Sequence, residues 1–291
     1  MNMKNCFLFA LAICFAWSAR AEVEVFADLV YAKYGDREML LDLYKPKNQS
    51  GKLPAVVGIH GGGWAKGSKK NFGKHSRYIA ERGYVAVAIN YRLSGEAPFP
   101  VHIQDCKAAV RWLRANANKY GIDPNKIGAI GHSAGGHLAA LMATANDVPE
   151  LEGNGGNAGF SSTIQAAVPM GAQSDLETDR IASMTAQSGA KIWHDFLNGP
   201  LAKNEALYQL ASPRRHLDEN DSPMMFITGE LDNLDTRAVP IRDDMRRFKI
   251  SSGLLIIPEA PHSFLPTEHW RKLALDTAVY FFDRHLKSVA E

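Results

Sequence analysis

Ser133 stands in the run Gly131-His132-Ser133-Ala134-Gly135-Gly136. The apolar stretch 126–130 leads into it, and Leu138-Ala139-Ala140-Leu141-Met142 leads out with the composition of a helix. A strand, a sharp turn and a helix are expected, with the serine at the apex. Flanking glycines let neighbouring backbone approach where a Cβ would collide. By itself so short a pattern favours an idle glycine-rich turn. A serine hydroxyl is a poor nucleophile at neutral pH. It needs a base to take its proton, a carboxylate to hold that base, and N–H donors where a carbonyl oxygen turns negative.

Those partners must come from loops at the carboxyl ends of strands, where sheets of this kind bind ligands. The apolar run Leu53–Ile59 ends in His60-Gly61-Gly62-Gly63-Trp64. Bare glycine backbone can approach a substrate oxygen, so Gly62 and Gly63 are the expected oxyanion donors, with Ala134 as the third. The run 223–228 ends in Thr228-Gly229-Glu230-Leu231-Asp232. Asp232 is the expected acid, and Glu230 and Asp235 in the same loop are alternatives. The run 254–257 feeds Glu259-Ala260-Pro261-His262-Ser263-Phe264. Of ten histidines only His262, His269 and His285 follow the acid, and the last two fall on the terminal helix or its approach. His262 is therefore the expected base. The chemistry calls for no cofactor and no metal. His132 and His137 flank the elbow without an acid cluster, so a zinc site is not expected.

The elements that must position these loops alternate between strand and helix, which predicts βαβ units and a mostly parallel sheet of eight strands. Residues 23–34 and 38–44 read as strands with no helix between them and should pair antiparallel. Helices are expected over 71–82, 101–118, 236–249 and 267–287. Ile103, Cys106, Val110 and Leu113 make the apolar stripe of the second, and Ile241, Met245 and Phe248 that of the third. Asp123-Pro124 reads as a turn before the elbow strand. Residues 172–221 carry no strand signal and read as an insertion over the sheet, a partial lid. Trp64, Trp193 and Phe99 are candidates to face an aromatic or sugar group, or equally to belong to the core.

With 291 residues, 46% of them hydrophobic, the chain can bury one large α/β core. Residues 1–21 read as a signal peptide: Lys4, an apolar run of about a dozen residues, then Ala19-Arg20-Ala21, with cleavage expected after Ala21. The run is shorter than the roughly 20 residues that span a membrane, so no anchor is expected in the mature chain, residues 22–291, and a secreted or periplasmic location is. Cleavage takes Lys4 and Arg20 from the 33 basic residues, leaving the mature chain even with its 31 acidic ones. That balance points to neither nucleic acid nor an anionic surface as partner. Cys6 and Cys14 leave with the leader, so Cys106 has no internal disulfide partner and reads as buried.

From about Tyr34 onward the chain resembles the alpha/beta-hydrolase esterases of the hormone-sensitive-lipase-like group, and most closely the bacterial secreted feruloyl and acetyl-xylan esterases. The shared residues are His60 to Trp64, Asn90-Tyr91-Arg92-Leu93, Tyr120-Gly121-Ile122-Asp123-Pro124, Gly131 to Leu138 and Ala211-Ser212-Pro213. Thr228-Gly229 stands where the group usually has His-Gly, and Pro258 and Pro261 flank the base turn, where a glycine is common. The order Ser133, Asp232, His262 is the alpha/beta-hydrolase order. The resemblance implies the alpha/beta-hydrolase fold, a serine esterase acting through an acyl-enzyme, and a small-molecule or carbohydrate ester as substrate, with short-chain acyl or feruloyl esters of carbohydrate expected. An arylformamidase or small-peptide hydrolase on the same fold, and a binding protein with an unused site, are the alternative readings.

Overall fold

The computed structural model describes residues 21–146 and 148–287. Apart from Ala21, the expected leader lies outside them. Eight strands form one sheet: β1 (Val23–Tyr34), β2 (Arg37–Pro46), β3 (Leu53–Ile59), β4 (Val85–Ile89), β5 (Ile122–His132), β6 (Ala166–Met170), β7 (Met224–Gly229) and β8 (Ser252–Ile257). Their spatial order is β1-β2-β4-β3-β5-β6-β7-β8. β1 pairs antiparallel with β2, and β2 antiparallel with β4. From β4 to β8 every neighbouring pair is parallel. The chain direction across the sheet reverses between β3 and β5, which puts a crevice at their carboxyl ends.

The helices are α1 (Lys70–Ala80), α2 (Val101–Ala115), α3 (Ala117–Tyr120), α4 (Ala134–Thr144), α5 (Pro149–Glu152), α6 (Asp179–Thr185), α7 (Lys191–Leu197), α8 (Glu205–Leu210), α9 (Val239–Arg247) and α10 (Glu268–Leu286). Residues of α1 and α10 pack on one face of the sheet, and those of α2, α4 and α9 on the other. This explains the unbroken apolar runs. Val85, Val87 and Ile89 of β4 join one core while Ala86 and Ala88 join the other, because successive side chains point to opposite faces and both faces are covered.

Three expectations change. The turn at Asp123-Pro124 is absorbed into β5, whose pairing with β3 slips between Leu53 and Ala55. Pro124 falls in that irregular stretch, where its missing N–H breaks no ladder bond. The helix expected over 101–118 divides into α2 and α3 at Asn116, whose amide donates back to the Trp112 carbonyl at 2.9 Å. Phe248 caps α9 and is exposed, while Ile241 and Met245 are buried as the stripe requires. Between β6 and β7, residues 172–221 hold α6, α7, α8 and two 3₁₀ turns, Leu201–Lys203 and Pro213–His216, and no strand. Cys106 is fully buried and is a free thiol.

Candidate active site

β5 delivers Ser133 to the crevice. Its backbone sits at φ 57° and ψ −119°, a region that costs a non-glycine residue about 1–3 kcal/mol. The turn is held from both sides. The Ser133 N–H donates to the Met170 carbonyl of β6 at 2.8 Å, and the Ser133 carbonyl accepts from His137 N–H at 2.9 Å. Glycine is required at 135, where a Cβ would lie 2.2 Å from the Ile59 carbonyl oxygen of β3. Ala134 opens α4, so its N–H is one of the donors that a helix start leaves without an intrahelical partner.

The loop after β3 lies against the serine. At Gly61 the Cβ position is 3.3 Å from the Ser133 Cβ. Gly62 has φ +122°, and a Cβ there would stand 2.0 Å from the Lys66 carbonyl oxygen, so this turn admits only glycine. Among the described residues, the N–H groups of Gly62, Gly63 and Ala134 donate to no backbone acceptor. The motif after β4 fixes this loop. Tyr91 is buried, stacks on His60 at 4.3 Å between centroids and donates its hydroxyl to the His60 carbonyl at 3.1 Å. Asn90 accepts from Lys69 N–H at 2.8 Å. Arg92 grips the fully buried Asp105 of α2, with Nη2 to Oδ1 at 2.7 Å.

The loop after β8 brings His262 over Ser133. Nε2 of His262 lies 2.8 Å from the Ser133 Oγ, and Nδ1 lies 2.6 Å from Asp232 Oδ2 on the loop after β7. A carboxylate accepts and does not donate, so Nδ1 carries the proton and Nε2 is left to accept from the serine hydroxyl. Burial would raise the Asp232 pKa. The hydrogen bond from His262 and the charge of Arg237 more than offset it and hold the carboxyl below its usual range. The two alternative acids go elsewhere: Glu230 accepts from Glu259 N–H at 2.8 Å, and Asp235 is exposed.

Two residues of this site carry no sequence signal of their own. Arg237 places Nε 2.9 Å from Asp232 Oδ1 and donates through Nη1 to the Gly171 carbonyl. His132 holds the base loop by its Nε2, 2.8 Å from the His262 carbonyl oxygen. Since a carbonyl only accepts, that nitrogen is protonated. Burial, with the neighbouring His262 adding to it, lowers the His132 pKa to about 4 and keeps the ring neutral. His137 sits behind the elbow: it accepts from Trp64 Nε1 at 3.3 Å and donates to the Ala211 carbonyl at 2.7 Å. Among the described residues no three His, Cys, Asp or Glu side chains gather as metal ligands.

Of the three candidate aromatics, Trp64 and Phe99 are core. Trp64 stacks on Phe196 of α7 at 4.1 Å, and Phe99 meets the same ring edge-on at 5.4 Å. Trp193 of α7 is half-buried against Trp64, 5.2 Å away. Its neighbour Ile192 comes within 3.0 Å of the Cβ position of Gly63. The segment between β6 and β7 thus reaches the oxyanion loop.

Residues 41–242 match the BD-FAE family. The chain belongs to that family. Among curated relatives, the probable carboxylic ester hydrolase LipM of Mycobacterium tuberculosis is 32% identical over 81% of this chain, and the esterase LipC of the same organism 32% over 79%. The BD-FAE chain spans little more than half the length of these relatives, 56% and 58%. Solved structures agree over nearly all of it. A truncated carbohydrate esterase from gut microbiota superposes with TM-score 0.79 at 25% identity, covering 94% of this chain and 99% of its own. Esterase 2 of Thermogutta terrifontis with propionate bound gives 0.73 at 27% identity, covering 94% and 97%. The architecture is the alpha/beta-hydrolase fold.

Proposed function

We propose that this BD-FAE chain is a carboxylic ester hydrolase acting through an acyl-enzyme on Ser133. The observation that carries the reading is the His262 imidazole joined at one nitrogen to the Ser133 hydroxyl and at the other to Asp232. Ser133 Oγ attacks the ester carbonyl carbon while Nε2 of His262 takes the hydroxyl proton. The carbonyl electrons move onto oxygen, which the N–H groups of Gly62, Gly63 and Ala134 receive. The carbon–oxygen bond to the alcohol then breaks, and His262 gives its proton to the departing oxygen. Water attacks the acyl-serine, His262 takes a proton from it, and the acid leaves as Ser133 recovers its hydrogen. Asp232 remains ionised and steadies the imidazolium.

We further propose a short-chain acyl group on a carbohydrate alcohol as the substrate class. Ile192 of α7 abuts Gly63 and limits room on that side of the oxyanion loop. The structural relatives include, besides the carbohydrate esterase, a bifunctional GH43-CE protein of Bacteroides eggerthii and the Thermogutta esterase with butyrate bound. In this reading the enzyme acts outside the cytoplasm, after its leader is removed past Ala21.

p-Nitrophenyl acetate turnover of wild type and Ser133→Ala tests the reaction. Loss on the order of a million-fold is expected, together with loss of fluorophosphonate labelling. Equal rates would remove Ser133 from the chemistry, and an unlabelled, inactive wild type would leave only a binding role. An aryl formamide assayed beside the acetate ester decides between ester and amide.

A further inference from the structure

A groove of about 520 Å³ is lined by Gly61, whose Cβ position is 3.3 Å from the Ser133 Cβ, and by Ser263, the residue after His262; no residue of α7 lines it. Its walls are the oxyanion loop (His60 to Gly62, with Lys66 and Gly67), the first turns of α1, and Ser263, Leu265 and Pro266 just past His262. Its position follows from the chemistry proposed above, on which this inference rests. The base must hand its proton to the departing alcohol, so the alcohol leaves on the side of His262. Ile192 and Trp193 contact Gly63 and Trp64, which do not line the groove.

We infer that this groove is the alcohol subsite and that it takes a sugar bearing a carboxylate. Among the described residues no Asp or Glu lines it, whereas Lys66 and Lys74 do, and both are exposed. Lys66 is carried by the same turn that forms the oxyanion loop, its N–H bonded to the Gly62 carbonyl at 3.1 Å. Behind the groove lie two buried histidines, His60 and His75, which back its wall without exposing their ring nitrogens. His60 Nδ1 faces the Gly61 carbonyl at 2.7 Å and must be the protonated nitrogen, which fixes the ring against the oxyanion loop. Phe72, Leu265 and Pro266 supply the apolar surface on which the carbon face of a pyranose rests. An apolar wall and two cations with no opposing acid fit a uronate sugar better than a neutral one.

The test compares two substrates of equal size, the mono-acetyl esters of methyl β-D-glucuronide and of its carboxamide, in wild type and in Lys66→Met/Lys74→Met. The readout is the ratio of kcat/KM for carboxylate over carboxamide. Wild type should favour the carboxylate about fivefold at low salt, as suits partly exposed charge pairs. The preference should fade with added salt and vanish in the double variant. Equal values in wild type, or a preference that survives the double substitution, overturns the assignment. Calorimetric titration with the unacetylated glucuronide and glucuronamide reads the same discrimination without turnover. If p-nitrophenyl acetate is not hydrolysed, the ester reading fails while the titration still decides the groove.

Discussion

At the scale of single residues, the proposed mechanism separates groups that would touch substrate from those that hold them. Asp232 is the only one of the three loop acids that contacts His262 in the structure, through Oδ2, and its other oxygen accepts from Asn233 N–H at 3.0 Å and meets Arg237. Asp232→Asn should lower kcat on the order of ten-thousand-fold, because an amide at this place favours the wrong imidazole tautomer. Asp235→Asn should leave it unchanged. Steady-state kinetics on p-nitrophenyl acetate reads both, and a large loss in the second variant would move the acid. Arg237 contacts Asp232 and the Gly171 carbonyl, and in the proposed mechanism it acts through them rather than on substrate. Arg237→Met should lower kcat while KM stays near wild type. A rise in KM alone would place Arg237 in substrate binding.

At the scale of elements, the loops stay in place because buried polar contacts hold them from behind. Asp105 of α2 is fully buried and answers to Arg92 and its backbone N–H, at 2.8 Å for the latter. Arg92→Met leaves that carboxylate without its counter-charge, a change that costs about 3–5 kcal/mol in buried pairs. Thermal unfolding should shift down by on the order of 10 °C, and an unchanged midpoint would show that water replaces the guanidinium. The meeting of Ser133, His262 and Asp232 is legible in the sequence because each follows an apolar run of strand length, and one strand edge collects all three. The Asn90-Tyr91-Arg92-Leu93 motif is legible only as a pattern; its grip on His60 and Asp105 depends on which helix α2 becomes. Arg237 lies five positions past Asp232, beyond a turn in which Asn233 Oδ1 accepts from Thr236 N–H at 3.1 Å. No periodicity announces that return, and the turn-forming asparagine is its one local hint. The groove is similarly silent, since His75 reads as one more helix residue until α1 is docked on the sheet.

At the scale of the whole molecule, the unusual feature is how many histidines the core keeps neutral. Burial is the leading cause in each case and lowers His60, His132 and His137 to about 4 and His75 and His102 to about 3. In the unfolded chain the same rings titrate near the ordinary value of about 6.5. Between that value and the folded ones, the unfolded state binds protons that the native state refuses, so stability falls as pH falls. The full contribution is present above about pH 6.5 and is lost progressively down to about 4 and then 3. Asp232 and Asp276, whose folded pKa values are depressed, act in the same direction: their stabilisation is present above the unfolded carboxylate value and lost as pH falls through the folded one. Each histidine contributes a slope of up to roughly 1 kcal/mol per pH unit. Five together exhaust the stability of an ordinary domain, about 5–15 kcal/mol, within a few pH units. Scanning calorimetry should therefore show a midpoint that is flat from pH 8 to 7 and drops steeply from about pH 6 to 5. His102→Gln removes one titrating ring and should make that drop shallower by about a fifth. A midpoint that holds constant down to pH 5 would mean that these rings take up protons inside the fold, and that water reaches them where they are buried.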